Sequence, residues 1–82
     1  MNTNQLVAVI GGSGQLGSAI CNHLVSKGHR VVSGDITLHS EYSQNDLKQY
    51  AVDVSDPLAM GHFADRVIDE QGVPDALLYL AH

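Results

Sequence analysis

Seven residues, Gly11-Gly12-Ser13-Gly14-Gln15-Leu16-Gly17, have the composition of a loop that cradles phosphate. They follow the apolar run Leu6 to Ile10 and open a helix-like stretch, Ser18 to Val25. Strand, glycine-rich turn and helix together bring backbone N–H groups and a helix N-terminus to where a dinucleotide pyrophosphate can sit. The spacing satisfies G-x-G-x-x-G through Gly12, Gly14 and Gly17, and G-x-x-G-x-x-G through Gly11, Gly14 and Gly17. Gly11 or Gly12 allows the tight turn, Gly14 admits the pyrophosphate, and Gly17 lets the helix pack closely on a sheet. Ser13 and Gln15 can add donors.

Two carboxylates extend the pattern. Asp35 ends a second strand-like run, Arg30 to Asp35, 18 residues after Gly17. There it can accept hydrogen bonds from the ribose hydroxyls of an adenosine and repel a 2′-phosphate. No Arg or Lys follows within the next few residues, so NAD is favoured over NADP. The plainer reading of Asp35 is a solvated acid at a strand end. Asp53-Val54-Ser55-Asp56 follows a third strand. Asp53 can accept from an adenine amino group and Val54 can offer its backbone, although acids ahead of a helix need no ligand. For Asp56, helix capping is the preferred role.

These residues need a scaffold of alternating elements. Leu6 to Ile10 is a continuous apolar run, as in a strand buried on both faces. A first helix is expected from about Gln15 to Lys27, with Leu16, Ala19, Ile20, Leu24 and Val25 as its apolar stripe and Gly28 just past its end. Thr37 to Asn45 reads as loop, with room for a helical turn near Gln44–Leu47. Lys48 to Val52 is a short third strand. Ser55 or Asp56 caps a second helix that starts at Pro57, carries Leu58, Phe63, Val67 and Ile68 near one face, and ends at Gly72 and Pro74. Asp75 to Ala81 is a fourth strand, largely apolar. The order β-α-β-β-α-β predicts an α/β fold: half of a Rossmann fold, with a parallel four-stranded sheet of order 3-2-1-4 and helices on both faces.

The 82 residues suffice for one small domain, here a single partial dinucleotide-binding domain over residues 1–82. A domain of this size buries only roughly 60–65% of its unfolded surface. An apolar content of 44% fits a globular chain. The net charge is −5, and the four basic residues, Lys27, Arg30, Lys48 and Arg66, are scattered, which argues against nucleic acid as partner. Cys21 is the single cysteine and reads as a small, buried or half-buried apolar residue. The five histidines, His23, His29, His39, His62 and His82, show no metal-ligand spacing. No run approaches the ~18 apolar residues of a membrane span. The polar, uncharged start Met1 to Gln5 does not resemble a signal peptide, so a cytoplasmic location is expected.

Gly11-x-x-Gly14-x-x-Gly17, Asp35, Asp53-Val54 and the strand Asp75 to Ala81 resemble the N-terminal part of a short-chain dehydrogenase/reductase. The resemblance covers about residues 5–82. The glycine spacing and Tyr79-Leu80-Ala81 look like the branch of nucleotide-sugar epimerases and dehydratases; the interval from Asp53 to Asp75 looks more like the single-domain reductases. The resemblance implies an NAD(P) cofactor and adds Leu16, Ile36, Leu80 and Ala81 to the candidate cofactor contacts. It implies hydride transfer in the full-length relatives, performed by a Tyr-x-x-x-Lys pair. No such pair occurs here: Tyr42 and Tyr50 are followed four positions later by Asp46 and Val54, and Tyr79 by no residue. The chain is therefore expected to bind cofactor without turning over by itself, as a truncated product, a fragment or a degenerate gene.

Two other readings stand beside this one. A non-catalytic module that senses NAD(P) or pairs with another protein is favoured by the edge of the fourth strand, apolar and unpaired, which invites self-association. A methyltransferase-like domain would place an acid just before the glycine loop, where Val9-Ile10 stand here.

Overall fold

The structure, a computed structural model, describes residues 4–11, 15–35 and 46–80. Four strands, β1 (Leu6–Ile10), β2 (Arg30–Asp35), β3 (Leu47–Ala51) and β4 (Ala76–Tyr79), form one sheet in the order β3-β2-β1-β4. All three strand pairings are parallel. The helices are α1 (Gln15–Ser26) and α2 (Pro57–Glu70). The expected topology and strand order are thus present.

Strand alternation divides the core in two. Leu6, Ala8, Ile10, Val32, Tyr50 and Val52 point to the face covered by Phe63 and Val67 of α2. Val7, Val9, Val31 and Leu47 point to the other face, against Cys21 of α1. β1 is buried along its whole length because a helix covers each of its faces, as its continuous apolar run requires. Burial raises the pKa of the Cys21 thiol, which suits an apolar filler rather than a nucleophile.

Both helices end on glycine. After α1, the N–H of Gly28 bonds the carbonyl of Val25 and that of His29 bonds Leu24, the paired bonds of a Schellman motif. After α2, the N–H of Gly72 bonds the carbonyl of Ile68. At the start of α2, Asp56 rather than Ser55 is the N-cap: its carboxylate accepts from the N–H of Leu58, with Pro57 in the first turn.

Several expectations are corrected. The stripe of α1 that meets the sheet is Gly17, Cys21, Leu24 and Val25, whereas Leu16 is 68% exposed and Ala19 is exposed. Leu24 and Val25 stay in the stripe, while Gly17 and Cys21 are buried in place of Leu16 and Ala19. On α2, Phe63 and Val67 are buried but Leu58 and Ile68 are exposed, Ile68 bordering the open groove beside β4. β3 begins and ends one residue earlier than expected, and Leu47 is its first residue rather than part of a helical turn. Gln44 and Asn45 lie outside the described residues.

The largest difference concerns β4. It spans only Ala76–Tyr79, and all four residues are exposed despite their apolar character. Its neighbour β1 shields one edge. Asp75 secures its start, with its N–H donating to the carbonyl of Leu6 and its carboxylate accepting from the N–H of Leu6 at 2.8 Å. Among the described residues no helix is long and apolar enough to cross a membrane.

Candidate functional site

In a parallel sheet every strand ends on the same edge, and here that edge carries the described candidates Gly11, Asp35, Asp53 and Leu80. Hydrogen bonds continue the ladder just beyond the strands. The N–H of Leu80 donates to the carbonyl of Ile10 at 2.8 Å, that of Gly11 to the carbonyl of Gly34 at 2.7 Å, and that of Val52 to the carbonyl of Asp35 at 2.9 Å. Asp53, Asp35, Gly11 and Leu80 therefore follow one another across the edge, over about 14 Å at the usual strand spacing.

Gly11 leaves β1 with φ of +88°, in the left-handed region that a residue with a Cβ rarely adopts. The turn needs a glycine, and the sequence signal for it is sound. Gly12, Ser13 and Gly14 lie outside the described residues. Gln15 is the first residue of α1, and its side chain is likewise outside them. Gly17 is buried in the first turns of α1, facing the sheet. No acidic side chain occupies the first turn of α1, so an anion approaching that helix end meets the positive pole of the dipole without a competing charge.

Asp35 is half-buried, the last residue of β2 and paired with Ala51. Alternation along β2 puts it on the α1 face with Val31. Ile36 lies outside the described residues. Asp53 is exposed, and its Oδ1 accepts from the Ser55 hydroxyl at 2.6 Å and the Ser55 N–H at 3.0 Å. Those bonds, the hydroxyl's first, lower the pKa of its carboxyl. Ser55 thus supports Asp53 while Asp56 caps α2, a division that spacing left undecided. Val54 is half-buried against the α2-face core. Leu80 packs against the α1-face core. Ala81 lies outside the described residues.

Two cavities are lined by described residues on the α2 side of the sheet, and neither is lined by Gly11 or Asp35. One, of about 280 Å³, lies beside Asp53 and is lined by Tyr50, Val52, His62 and Arg66 among others. The other, of about 310 Å³, is an apolar groove between α2 and β4. Among the described residues no group of His, Cys, Asp and Glu could hold a metal ion. The residue that sequence reasoning passed over is Gly34, buried in β2 one position before Asp35. Its signal was a glycine inside a strand, which marks close approach of another element.

The model of the NAD dependent epimerase/dehydratase family matches residues 7–82. Among solved structures, a short-chain dehydrogenase from Leptospira borgpetersenii with bound NAD+ is 25% identical, at a TM-score of 0.85, over 96% of this chain and 32% of that one. An epimerase from Methanothermobacter thermautotrophicus is 28% identical, at a TM-score of 0.71, over 95% of this chain and 23% of that one. The enzyme WbmG of Bordetella bronchiseptica in complex with NAD, at 20% identity and a TM-score of 0.75 over 98% of this chain and 26% of that one, shares the fold. The chain thus spans a third or less of the length of these structures. No curated protein matches it.

Proposed function

The chain belongs to the NAD dependent epimerase/dehydratase family, and from that premise we propose that residues 1–82 form the dinucleotide-binding part of an oxidoreductase of the short-chain dehydrogenase/reductase type, with NAD preferred over NADP. The observation that carries this reading is the hydrogen-bonded edge that aligns Val52, and with it the adjoining Asp53, with Asp35, Gly11 and Leu80 in one row.

Each residue then has a role. The loop Gly11, Gly12, Ser13, Gly14, Gln15, Leu16 and Gly17 holds the pyrophosphate against the N-terminus of α1. Gly11 at positive φ and the acid-free first turn of α1 suit that anion. Asp35 accepts from the ribose hydroxyls and repels a 2′-phosphate. Ile36 and Val54 flank the adenine. Asp53 keeps Oδ1 on Ser55, and its Oδ2 is the oxygen left for the adenine amino group. Leu80 and Ala81 contact the cofactor beyond β4. The bound dinucleotide supplies hydride acceptance at C4 of its nicotinamide. These residues bind and orient it; the Tyr-x-x-x-Lys pair of the family is not among them. The NAD-bound state of the Leptospira relative supports the cofactor assignment.

Titration of NADH into the purified chain, followed by nicotinamide fluorescence, tests the reading. Saturable binding is expected, and the absence of any saturable signal up to millimolar NADH would sink it. Asp35→Asn should weaken NADH binding roughly 10- to 100-fold, the worth of hydrogen bonds to a charged group. It should leave NADPH binding unchanged or improved.

The exposed Leu77 and Tyr79 of β4 favour a second reading, in which the chain associates through that strand. Light scattering that shows a monomer at high concentration would remove it.

A further inference from the structure

We infer that Gly34 is a positioning residue for the dinucleotide edge, a role that rests on the function proposed above. It lies in β2 between Ile10 of β1 and Tyr50 of β3, one residue before Asp35. A Cβ at Gly34 would stand 2.9 Å from Cζ of Phe63 and 2.9 Å from Cγ1 of Val52, with Cε1 of Phe63 at 3.2 Å. Both neighbours are held. Phe63 is buried and meets the Tyr50 ring edge to face at 5.6 Å, and the Tyr50 hydroxyl is bonded to Glu70. Val52 is buried and stiff at χ1, and its N–H is bonded to the carbonyl of Asp35.

A close-packed interior passes such a collision on rather than absorbing it. The strand that carries the new methyl must move, and three site residues move with it. The Gly34 carbonyl accepts the Gly11 N–H at 2.7 Å, so the entry to the phosphate loop shifts. Asp35 is the next residue, so the ribose carboxylate shifts. Val52 directly precedes Asp53, so the adenine end shifts as well. The missing Cβ points to the α2 face, opposite to Asp35. Gly34 therefore acts on the ligand through the backbone and not by touching it with a side chain. A constellation of this kind has to be held within about 0.5 Å to bind well.

The test compares Gly34→Ala with Val67→Ala, a core truncation on α2, in the full chain. Phe63→Leu and the pair Gly34→Ala/Phe63→Leu complete the set, since Leu lacks the ring atoms that collide. Dissociation constants for NADH are measured by fluorescence, stability by urea denaturation, and protection of the Gly11 amide by hydrogen exchange without cofactor. Gly34→Ala should raise the NADH dissociation constant about tenfold or more, beyond any effect of Val67→Ala. It should speed exchange at Gly11 relative to Val67→Ala, and Phe63→Leu should reverse both changes only in part, since the clash with Val52 remains. If Gly34→Ala is too unstable to purify, weaker NADH binding and faster Gly11 exchange in the double variant than in Phe63→Leu alone still support the role. Unchanged affinity and unchanged Gly11 exchange in Gly34→Ala, or in the double variant relative to Phe63→Leu alone, overturn it. A wild-type chain that does not bind NADH would count against the proposed function, while the Gly11 exchange comparison would still decide whether Gly34 positions the edge.

Discussion

The two edge strands of the sheet invert the usual relation between hydropathy and burial. β3 reads Leu-Lys-Gln-Tyr-Ala and β4 reads Ala-Leu-Leu-Tyr, yet Leu47 of β3 is 2% exposed and Leu77 of β4 is 63% exposed. β3 lies under both helical layers: Leu47 joins the α1-face core and Tyr50 the α2-face core. Its outward side is dressed by charge, with Arg66 over the Tyr50 ring at 4.9 Å and Lys48 at 5.8 Å. All four residues of β4 are exposed, and its Leu77 borders the open groove with α2. Apolar character states what a strand needs. Whether the need is met depends on which elements lie over it.

The same substitution at the two edges gives the strongest break of this comparison. Leu47→Ala should cost about 2–5 kcal/mol, while Leu77→Ala should cost less than about 1 kcal/mol, both read from urea denaturation. Equal losses would mean that β4 is covered in solution, and sedimentation would then show a second copy over it. Next in size, Tyr50→Phe removes the hydroxyl's bond to Glu70 at 2.8 Å and should cost about 1.5 kcal/mol. It also removes an alkaline limb. Burial, then the bond to Glu70, raises the Tyr50 pKa. Its contribution is whole below the unfolded tyrosine value of about 10 and declines as pH rises through the folded value. A stability profile of Tyr50→Phe equally steep at high pH would contradict this.

On the other edge, Asp75→Ala leaves the Leu6 N–H without its carboxylate partner. The expected loss is about 1 kcal/mol, concentrated at the start of β4 and visible as faster amide exchange there than in β3. The smallest effect belongs to Asp53. Its lowered pKa gives a contribution that is whole above the unfolded aspartate value of about 3.9 and is lost as pH falls through the folded value. Ser55→Ala should flatten that acid limb and leave stability at neutral pH nearly unchanged, because the carboxylate is exposed and screened.

Much of this arrangement is legible in the chain because its signals are local. Pro57 with Asp56 marks a helix start, Gly28 a helix end, and the run Leu6 to Ile10 a strand buried on both faces. Right-handed crossovers then leave little choice of strand order. The placement of the candidate residues Gly11 and Asp35 is legible to the same extent, since both sit at strand ends and parallel strands end together. Non-local contacts are what the chain hides. That α1 buries Cys21 and exposes Leu16 depends on how the helix is set against the sheet. The choice of Asp56 over Ser55 as cap depends on where the Asp53 carboxylate goes. The crowding at Gly34 comes from Phe63 and Val52, residues far along the chain.

The sequence by itself determined the class of fold, the strand order and the pair of features, a glycine turn and a strand-end acid, that point to a dinucleotide. Periodicity, capping residues and turn glycines act within a few positions of the chain, and their chemistry is the same wherever the chain goes. Only the tertiary structure decided that Val52, next to Asp53, joins Asp35, Gly11 and Leu80 in one hydrogen-bonded row, that β4 stays exposed, and that Phe63 and Val52 crowd the place of a Cβ at Gly34. Those outcomes depend on distances between atoms remote in sequence, which packing and the parallel ladder set together.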